Sequence, residues 1–211
     1  KMGRVIADNI RKVIYYLLST AIQELLLVSF AIIAFLPLPL FPIQILWINL
    51  VTDGVQDKAF PFTKEEGSVM NRPPKKSEKH FFDRSQVFRV VTFGLAVGIV
   101  CLFLFMYLMG RYSYEIAVTV TFTSVVFAQW TNGIQAQKEK QPFFKDIKKS
   151  LTINPYIFLG VGIGIVLQLS VIYLMPGVFS VVPLKLEHWV YVLLVALFAF
   201  GIVEVRKWVE F

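Results

Sequence analysis

Six long apolar runs set the strongest constraint on what this chain can fold into. They cover residues 13–36, 43–62, 86–109, 114–134, 155–175 and 188–205 of a 211-residue sequence. About 20 helical residues cross a hydrocarbon layer of about 30 Å, so each run is long enough for one transmembrane helix. Hydrophobic residues make up 56% of the chain and charged residues only 17%, unlike an ordinary soluble domain. The sequence therefore predicts an all-α membrane protein, a single domain of six transmembrane helices over residues 1–211.

Basic residues fall almost entirely on one side of these predicted helices. The two chain ends and the connections after the second and fourth runs carry 19 of the 21 lysines and arginines, whereas the other side has only Arg111 and Lys185. Because basic connections stay in the cytosol, both termini are predicted to be cytosolic. This distribution explains the net charge of +7 without nucleic acid as a partner. The lipid bilayer is the expected surrounding, in the cell membrane of a prokaryote or otherwise in an organelle membrane.

Neither the start of the chain nor its cysteine indicates a secreted protein. The chain opens with Lys1 and the first apolar run follows almost at once, so no signal peptide is predicted. We expect instead a fragment of a longer protein. Cys101, the single cysteine, lies within an apolar run, which indicates packing rather than a disulfide framework or a cysteine-based metal site.

Two groups of polar residues interrupt the apolar runs. Glu24 lies about midway along the first run, and Asn49, Thr52 and Asp53 lie in the second, followed by Gly54. An ionised carboxylate at the bilayer centre costs roughly 2.5–3.5 kcal/mol, so such residues usually face a cavity and bind something. Glu24 as a protonated carboxyl bonded to a neighbouring helix is the alternative.

The spacing of the second group favours a cation site. Asn49 precedes Asp53 by one helical turn, so the two share a face. Asp53 followed by Gly54 indicates a helix locally unwound near Asn49 to Gly54, where freed carbonyls and side-chain oxygens can hold a cation. Ligands that are all oxygen suit hard cations such as Ca²⁺ or Na⁺. Interhelical hydrogen bonds of Asn49 and Thr52 are the plainer alternative.

Three strings in the sequence resemble type II P-type ATPases, with the reticulum calcium pumps as familiar members. GRVIADNIRKVIYYLLSTAIQE at 3–24 is similar to their stalk and fifth transmembrane helix, and LWINLVTDG at 46–54 to their sixth. MNRPP at 70–74 resembles the cytosolic loop that follows. By order and spacing, the six predicted helices would be the family's fifth to tenth. The resemblance implies a transported cation held near mid-membrane by Glu24, Asn49, Thr52 and Asp53.

Departures from the two-ion calcium pumps narrow this expectation. Ala21 stands where those pumps have a fifth-helix asparagine, and Gln129 where they have an eighth-helix glutamate. The resemblance therefore implies one bound cation rather than two, with Ca²⁺ favoured. Gln129 and Asn132 also resemble the eighth helix of sodium/potassium pumps, which keeps Na⁺ or K⁺ open, and hydrogen bonding between helices is the alternative for both.

Asp57 is the remaining candidate. The run GVQDKAF at 54–60 lacks the proline usual in the family within three residues of the aspartate. If the helix resumes after Asp53, Asp57 shares its face and would line a cytosolic entry path. We favour an interfacial Asp57 beside a snorkelling Lys58.

The sequence holds the transport part of a pump but not its chemistry. No DKTG-type phosphorylation motif, nucleotide-binding domain or actuator domain is found in it. ATP and Mg²⁺ would bind only in the missing domains, and the partner would be the N-terminal half with the first four helices. We expect the fragment alone to be inactive as an ATPase. The alternative is a free-standing accessory or passive membrane module.

Overall fold

The structure, a computed structural model, describes residues 2–66, 84–138 and 141–210, and in these ranges it is helical without strands. The α-helices are α1 (Met2–Ile33), α2 (Pro42–Ile48), α3 (Gly54–Gln56), α4 (Arg84–Met109), α5 (Tyr114–Ala136), α6 (Ile147–Thr152), α7 (Pro155–Leu174), α8 (Pro176–Phe179) and α9 (Leu186–Glu210). A π-helical turn, Asn49–Asp53, joins α2 to α3, and 3-10 segments cover Asp57–Phe62 and Phe144–Asp146. The MNRPP motif lies outside the described residues.

Four of the described helices are long and apolar enough to cross a membrane. They are α1, α4, α7 and α9. Helix α5 has 23 residues, enough for a span, but its hydroxyl and amide side chains lower its hydropathy. The second predicted span is divided into short helical pieces. The predicted count of six spans is therefore not confirmed. Helices α4, α5, α7 and α9 lie within about five residues of their predicted bounds, whereas α1 begins eleven residues before the predicted start at residue 13.

The helical type changes three times between Pro42 and Phe62. The α2 ladder ends at Ile48, and the Gly54 N–H then bonds to the Asn49 carbonyl five residues earlier, which is the π-helical pattern. Helix α3 follows for three residues before the 3-10 segment begins at Asp57. Since the backbone of Ile48, Asn49 and Gly54 is right-handed helical, the predicted local unwinding is not confirmed. Single π-helical turns are nonetheless frequent at functional sites.

Small residues bring α4 against α1. A Cβ added at Gly94 would lie 2.5 Å from Ile22 Cγ2, and one added at Gly98 would lie 3.2 Å from the Gln23 carbonyl oxygen. The two helices therefore pack backbone to backbone, as helices with small residues do in membranes. Cys101, one turn further along α4, is fully buried in the core, which agrees with its predicted packing role.

Helix α5 is the central helix of the described bundle. It contacts α1, α4, α7 and α9, and 17 of its residues are buried. The hydroxyls of Thr119 and Thr123 donate to carbonyls four residues earlier in the same helix, at 2.7 and 2.8 Å. A helix surrounded by protein can carry such polar residues without exposing them to lipid, which explains how a helix with so many hydroxyl and amide side chains occupies the centre.

Candidate cation site

The carboxylate of Glu24 on α1 meets the amide of Gln129 on α5. Gln129 Nε2 donates to Glu24 Oε1 at 2.8 Å. Glu24 is only 7% exposed and Gln129 is fully buried. The Gln129 Oε1 atom is buried without a hydrogen-bond partner among the described residues. The Gln129 Oε1 atom is therefore available to a ligand. The Gln129 Nε2 atom already donates to one oxygen of the Glu24 carboxylate.

A second contact between the same two helices lies about one turn nearer the start of α1. Asn132 Nδ2 donates to Ser19 Oγ at 2.7 Å, and the Tyr15 hydroxyl donates to Asn132 Oδ1 at 3.3 Å. Ser19 and Asn132 are fully buried. Both candidate residues of α5, Gln129 and Asn132, therefore direct amide N–H groups at oxygens of α1.

The candidates on the second run are arranged differently. Thr52 is fully buried, and its hydroxyl donates to the Ile48 carbonyl at 2.7 Å. Asn49 is exposed, and its Nδ2 donates to the Ile45 carbonyl at 3.0 Å. Asp53 belongs to the π-helical turn, and its side chain lies outside the described part of the structure. The described contacts pair Glu24 with Gln129 and Ser19 with Asn132. The described bonds of Thr52 and Asn49 stay within their own segment.

Asp57 begins the 3-10 segment, beyond the π-helical turn. Its Oδ1 atom is buried and has no hydrogen-bond partner among the described residues, while Lys58 beside it is exposed. An exposed Lys58 is compatible with the prediction that Asp57 and Lys58 lie at the membrane interface. Whether Asp57 also lines a cytosolic entry path stays a prediction.

A link that the sequence did not predict joins α1 to α3. The Tyr16 hydroxyl donates to Gln56 Oε1 at 2.7 Å, with both side chains fully buried. Gly133 of α5 makes room for this pair, because a Cβ there would lie 2.5 Å from Gln56 Oε1. The sequence feature that could have indicated this link is Gln56 itself. It is an amide within three residues of Asp53, where the P-type ATPases that the sequence resembles usually have a proline.

The chemistry of this region is that of oxygen and amide groups. No group of three or more His, Cys, Asp or Glu side chains suited to a metal occurs among the described residues. A cation bound near Glu24 would therefore rely on one carboxylate together with hydroxyl, amide and carbonyl oxygens, which are ligands of hard cations such as Ca²⁺.

Comparison with known proteins identifies the context of this site. Residues 37–209 match the family described as cation transporting ATPase, C-terminus. The chain belongs to this family. As a member of the cation-transporting ATPases with four apolar helices of spanning length, it is an integral membrane protein. The predicted resemblance to the C-terminal membrane region of P-type calcium ATPases is confirmed.

Several relatives of this cation-transporting ATPase chain are named as calcium pumps. A calcium-transporting ATPase of Bacillus subtilis (strain 168) is 36% identical over 92% of the chain and 22% of its own length. Calcium-transporting ATPase 1 of Bacillus cereus (strain ATCC 10987 / NRS 248) is 26% identical over 97% of the chain and 25% of its own length. An endoplasmic reticulum-type calcium-transporting ATPase 4 of Arabidopsis thaliana is 24% identical over 98% of the chain and 25% of its own length. The chain thus spans about a quarter of these relatives.

Proposed function

We propose that this chain is the transport half of an ATP-driven P-type cation pump and that it binds one cation, with Ca²⁺ favoured. The ligands would be Glu24, Asn49, Thr52 and Asp53. The full-length protein would be a translocase, with ATP and Mg²⁺ bound in its other domains, and it would lie in the cell membrane of a prokaryote or otherwise in an organelle membrane. Membership of the cation-transporting ATPase family and relatives named as calcium-transporting ATPases support the proposal.

The observation that carries the single-ion part is the bond from Gln129 to Glu24. In the two-ion calcium pumps that the sequence resembles, a glutamate stands at the position of Gln129. Here an amide nitrogen lies 2.8 Å from the Glu24 carboxylate. A buried cation next to Glu24 would have to share that carboxylate with a donor that bears partial positive charge. The arrangement favours one cation rather than two near Glu24.

The exposure of Asn49 supports a partner at this site. An amide exposed within an apolar run is costly in lipid, so it is usually covered by protein or by a cavity. Asn49 is exposed, as are its neighbours Leu46 and Leu50, at 65% and 62%. We assign this surface to the N-terminal half of the pump, whose fourth helix would complete the cation ligands.

The proposal extends to topology. We infer six spans with both termini in the cytosol. Four are the apolar helices of spanning length. The fifth is the less apolar helix α5, and the sixth is the discontinuous segment 43–62. A buried helix in a polytopic protein does not need a fully apolar surface. The π-helical turn at Asn49–Asp53 would be the point at which the second helix opens to release carbonyl oxygens to the cation.

Charge-neutralising variants test the site in the full-length protein. Glu24→Gln and Asp53→Asn should each abolish cation-dependent phosphorylation from ATP, because each removes a negative charge that binds the ion. Expression and detergent solubility should stay normal. Glu187→Gln, which neutralises an exposed acid at the start of α9, is the matched control and should behave as wild type. If both site variants were phosphorylated with the wild-type ion dependence, the assigned site would be wrong.

Ion identity needs a separate measurement. We would compare the stimulation of phosphorylation by Ca²⁺, Na⁺, K⁺ and Mg²⁺, and count bound Ca²⁺ per protein at saturation. Stimulation by Ca²⁺ with one ion bound is expected. Stimulation by Na⁺ or K⁺ alone would indicate the monovalent alternative instead.

The sequence of the gene upstream of Lys1 separates the pump from a free-standing module. A reading frame that continues upstream into a P-type catalytic core is expected. A start codon and ribosome-binding site at Met2 would contradict the proposal and favour an accessory or passive membrane module.

A further inference from the structure

A series of hydrogen bonds runs from the end of α9 to the middle of α1. Arg206 Nη1 donates to the Tyr15 hydroxyl oxygen at 3.3 Å. The Tyr15 hydroxyl donates to Asn132 Oδ1 at 3.3 Å, and Asn132 Nδ2 donates to Ser19 Oγ at 2.7 Å. The series therefore connects a basic residue near the C-terminal end of the chain with a buried hydroxyl five residues from Glu24.

The direction of this series is set by its first member. An arginine side chain has only donors, so the Tyr15 oxygen must accept from it and the single Tyr15 proton is left for Asn132. Asn132 consequently presents its oxygen to Tyr15 and its NH₂ group to Ser19. The Ser19 hydroxyl in turn donates a hydrogen bond to the Tyr16 carbonyl at 2.9 Å. Each bond points the same way, from the guanidinium toward α1.

Arg206 is itself held in place by two further contacts. Its guanidinium carbon lies 5.8 Å from the centre of the Tyr15 ring, within the range of a cation–π interaction. Its Nε atom lies 3.8 Å from Glu210 Oε1, one turn along α9. The side chain is 14% exposed, so lipid and water have little access to the series.

We propose that Arg206 is a positioning residue that fixes the orientation of the Asn132 amide and so keeps a second cation away from the Ser19 side of the cation site. The inference rests on the proposed function. In the observed orientation, the NH₂ group of Asn132 occupies the place next to Ser19 Oγ that a cation would need. In the reversed orientation, the Asn132 oxygen and Ser19 Oγ would face each other about 7.5 Å along α1 from Glu24. Two neutral oxygens near one carboxylate would suit a monovalent cation such as Na⁺.

Two variants release the amide by different routes. Tyr15→Phe removes one oxygen atom and leaves Asn132 Oδ1 without its donor. Arg206→Gln replaces a pure donor with a side chain that can also accept the Tyr15 proton, so the direction of the series is no longer fixed. Arg206→Lys keeps a side chain that only donates hydrogen bonds, so the orientation of the Asn132 amide should stay as in the wild type.

The measurement is equilibrium binding of radioactive Ca²⁺ to the full-length protein in detergent, with increasing Na⁺ at constant ionic strength. In Tyr15→Phe and Arg206→Gln, the Na⁺ concentration that halves Ca²⁺ binding should fall by at least about fivefold, a small coupling between sites. It should stay close to the wild-type value in Arg206→Lys. Arg111→Gln, which removes an exposed guanidinium from a different connection, is the matched control and should also keep the wild-type value.

A double-variant comparison separates positioning from a general structural effect. In an Asn132→Ala background, Arg206→Gln should produce no further change in Na⁺ competition, because the amide through which it acts is absent. Unchanged Na⁺ competition in both Tyr15→Phe and Arg206→Gln, or an effect of Arg206→Gln that persists without Asn132, would overturn the inference alone. Failure of the wild-type protein to bind Ca²⁺ would overturn the proposed function and this inference with it.

Discussion

At the scale of single residues, Gly133 is a position where one added methyl group would meet a buried hydrogen bond. The Gly133→Ala substitution adds a methyl group 2.5 Å from Gln56 Oε1. The same oxygen atom accepts the hydrogen bond from the Tyr16 hydroxyl. Both partners are fully buried, so Gln56 must move and the bond to Tyr16 is lost. We expect a destabilisation of about 1–3 kcal/mol, typical of overpacking in a core, measured by thermal unfolding in detergent.

The control for this substitution is Gly162→Ala on α7. A Cβ at Gly162 meets nothing within 4 Å, and alanine is the better helix former, so stability should be unchanged or slightly higher. Adding Gln56→Ala to Gly133→Ala should recover part of the loss by removing the obstructing oxygen. Equal effects of the two glycine substitutions would contradict the steric explanation.

Gln129 allows a direct test of the single-ion proposal. Gln129→Glu replaces the amide that donates to Glu24 with a second carboxylate beside the first. Two buried carboxylates in contact repel each other unless one is protonated or a cation lies between them. We expect the number of Ca²⁺ ions bound per protein at saturation to rise from one toward two. A variant that folds and still binds one Ca²⁺ with wild-type affinity would contradict the role assigned to this amide.

At the scale of secondary structure, the sequence predicts the long helices well and the second run poorly. Hydropathy and length are sufficient for α4, α7 and α9, whose apolar residues follow one another along the whole helix. The predicted run 114–134 also lies within α5, although polar side chains lower the hydropathy of that helix. The change of helical type between Pro42 and Phe62 depends on contacts with distant residues, such as Tyr16 with Gln56. Those partners lie 40 residues apart in the chain, so no local pattern reveals them.

The candidate site shows the same division. Glu24, Gln129 and Asn132 could be singled out from the sequence because polar groups are rare in apolar runs. Their pairing could not, because it depends on how α1 and α5 pack. The Gln129–Glu24 bond joins residues 105 positions apart. The sequence did not single out Tyr15 or Arg206, because their connection to Asn132 depends on how α1, α5 and α9 pack.

Two asparagines hold the 3-10 segment against the helices on either side. Asn9 Nδ2 of α1 donates to the Thr63 carbonyl at 3.0 Å, and Asn154 Nδ2 donates to the Ala59 carbonyl at 2.7 Å. Asn154 also caps α7, accepting from the Tyr156 N–H. These contacts fasten the end of the second run to α1 and α7 from opposite sides.

Substitution of Asn154 separates its two roles. Asn154→Ser keeps a capping oxygen but leaves the buried Ala59 carbonyl without its donor, which should cost about 1–3 kcal/mol. Asn154→Ala loses the cap as well and should be less stable by a further ~1 kcal/mol. Both variants should be cleaved faster by trypsin at the exposed Lys64, with thermal unfolding measured alongside. Cleavage of Asn154→Ser at the wild-type rate would show that the asparagine does not restrain the segment.

At the scale of the whole molecule, polar side chains lie inside the described bundle and large apolar side chains lie on its outside. Helix α5 lies at the centre of the described bundle, with Thr119, Thr121, Thr123, both glutamines and its asparagine buried. The four apolar helices of spanning length contact it, and they expose large hydrophobic side chains such as Phe103 and Leu197. The proposed cation site beside Glu24 therefore lies among helices that can face lipid on their outer sides.

Labelling of introduced cysteines tests the inferred topology of the whole chain. The only natural thiol, Cys101, is fully buried, so a membrane-impermeant maleimide should give little background. Lys148→Cys, at an exposed position in α6, should react only from the cytosolic face, and Arg111→Cys and Lys185→Cys, exposed in the two short connections, only from the opposite face. The reason is the 19-to-2 division of basic residues. With Cys101→Ser as the background control, labelling of Arg111→Cys and Lys148→Cys from the same face would require an even number of spans between them and would overturn the six-span topology.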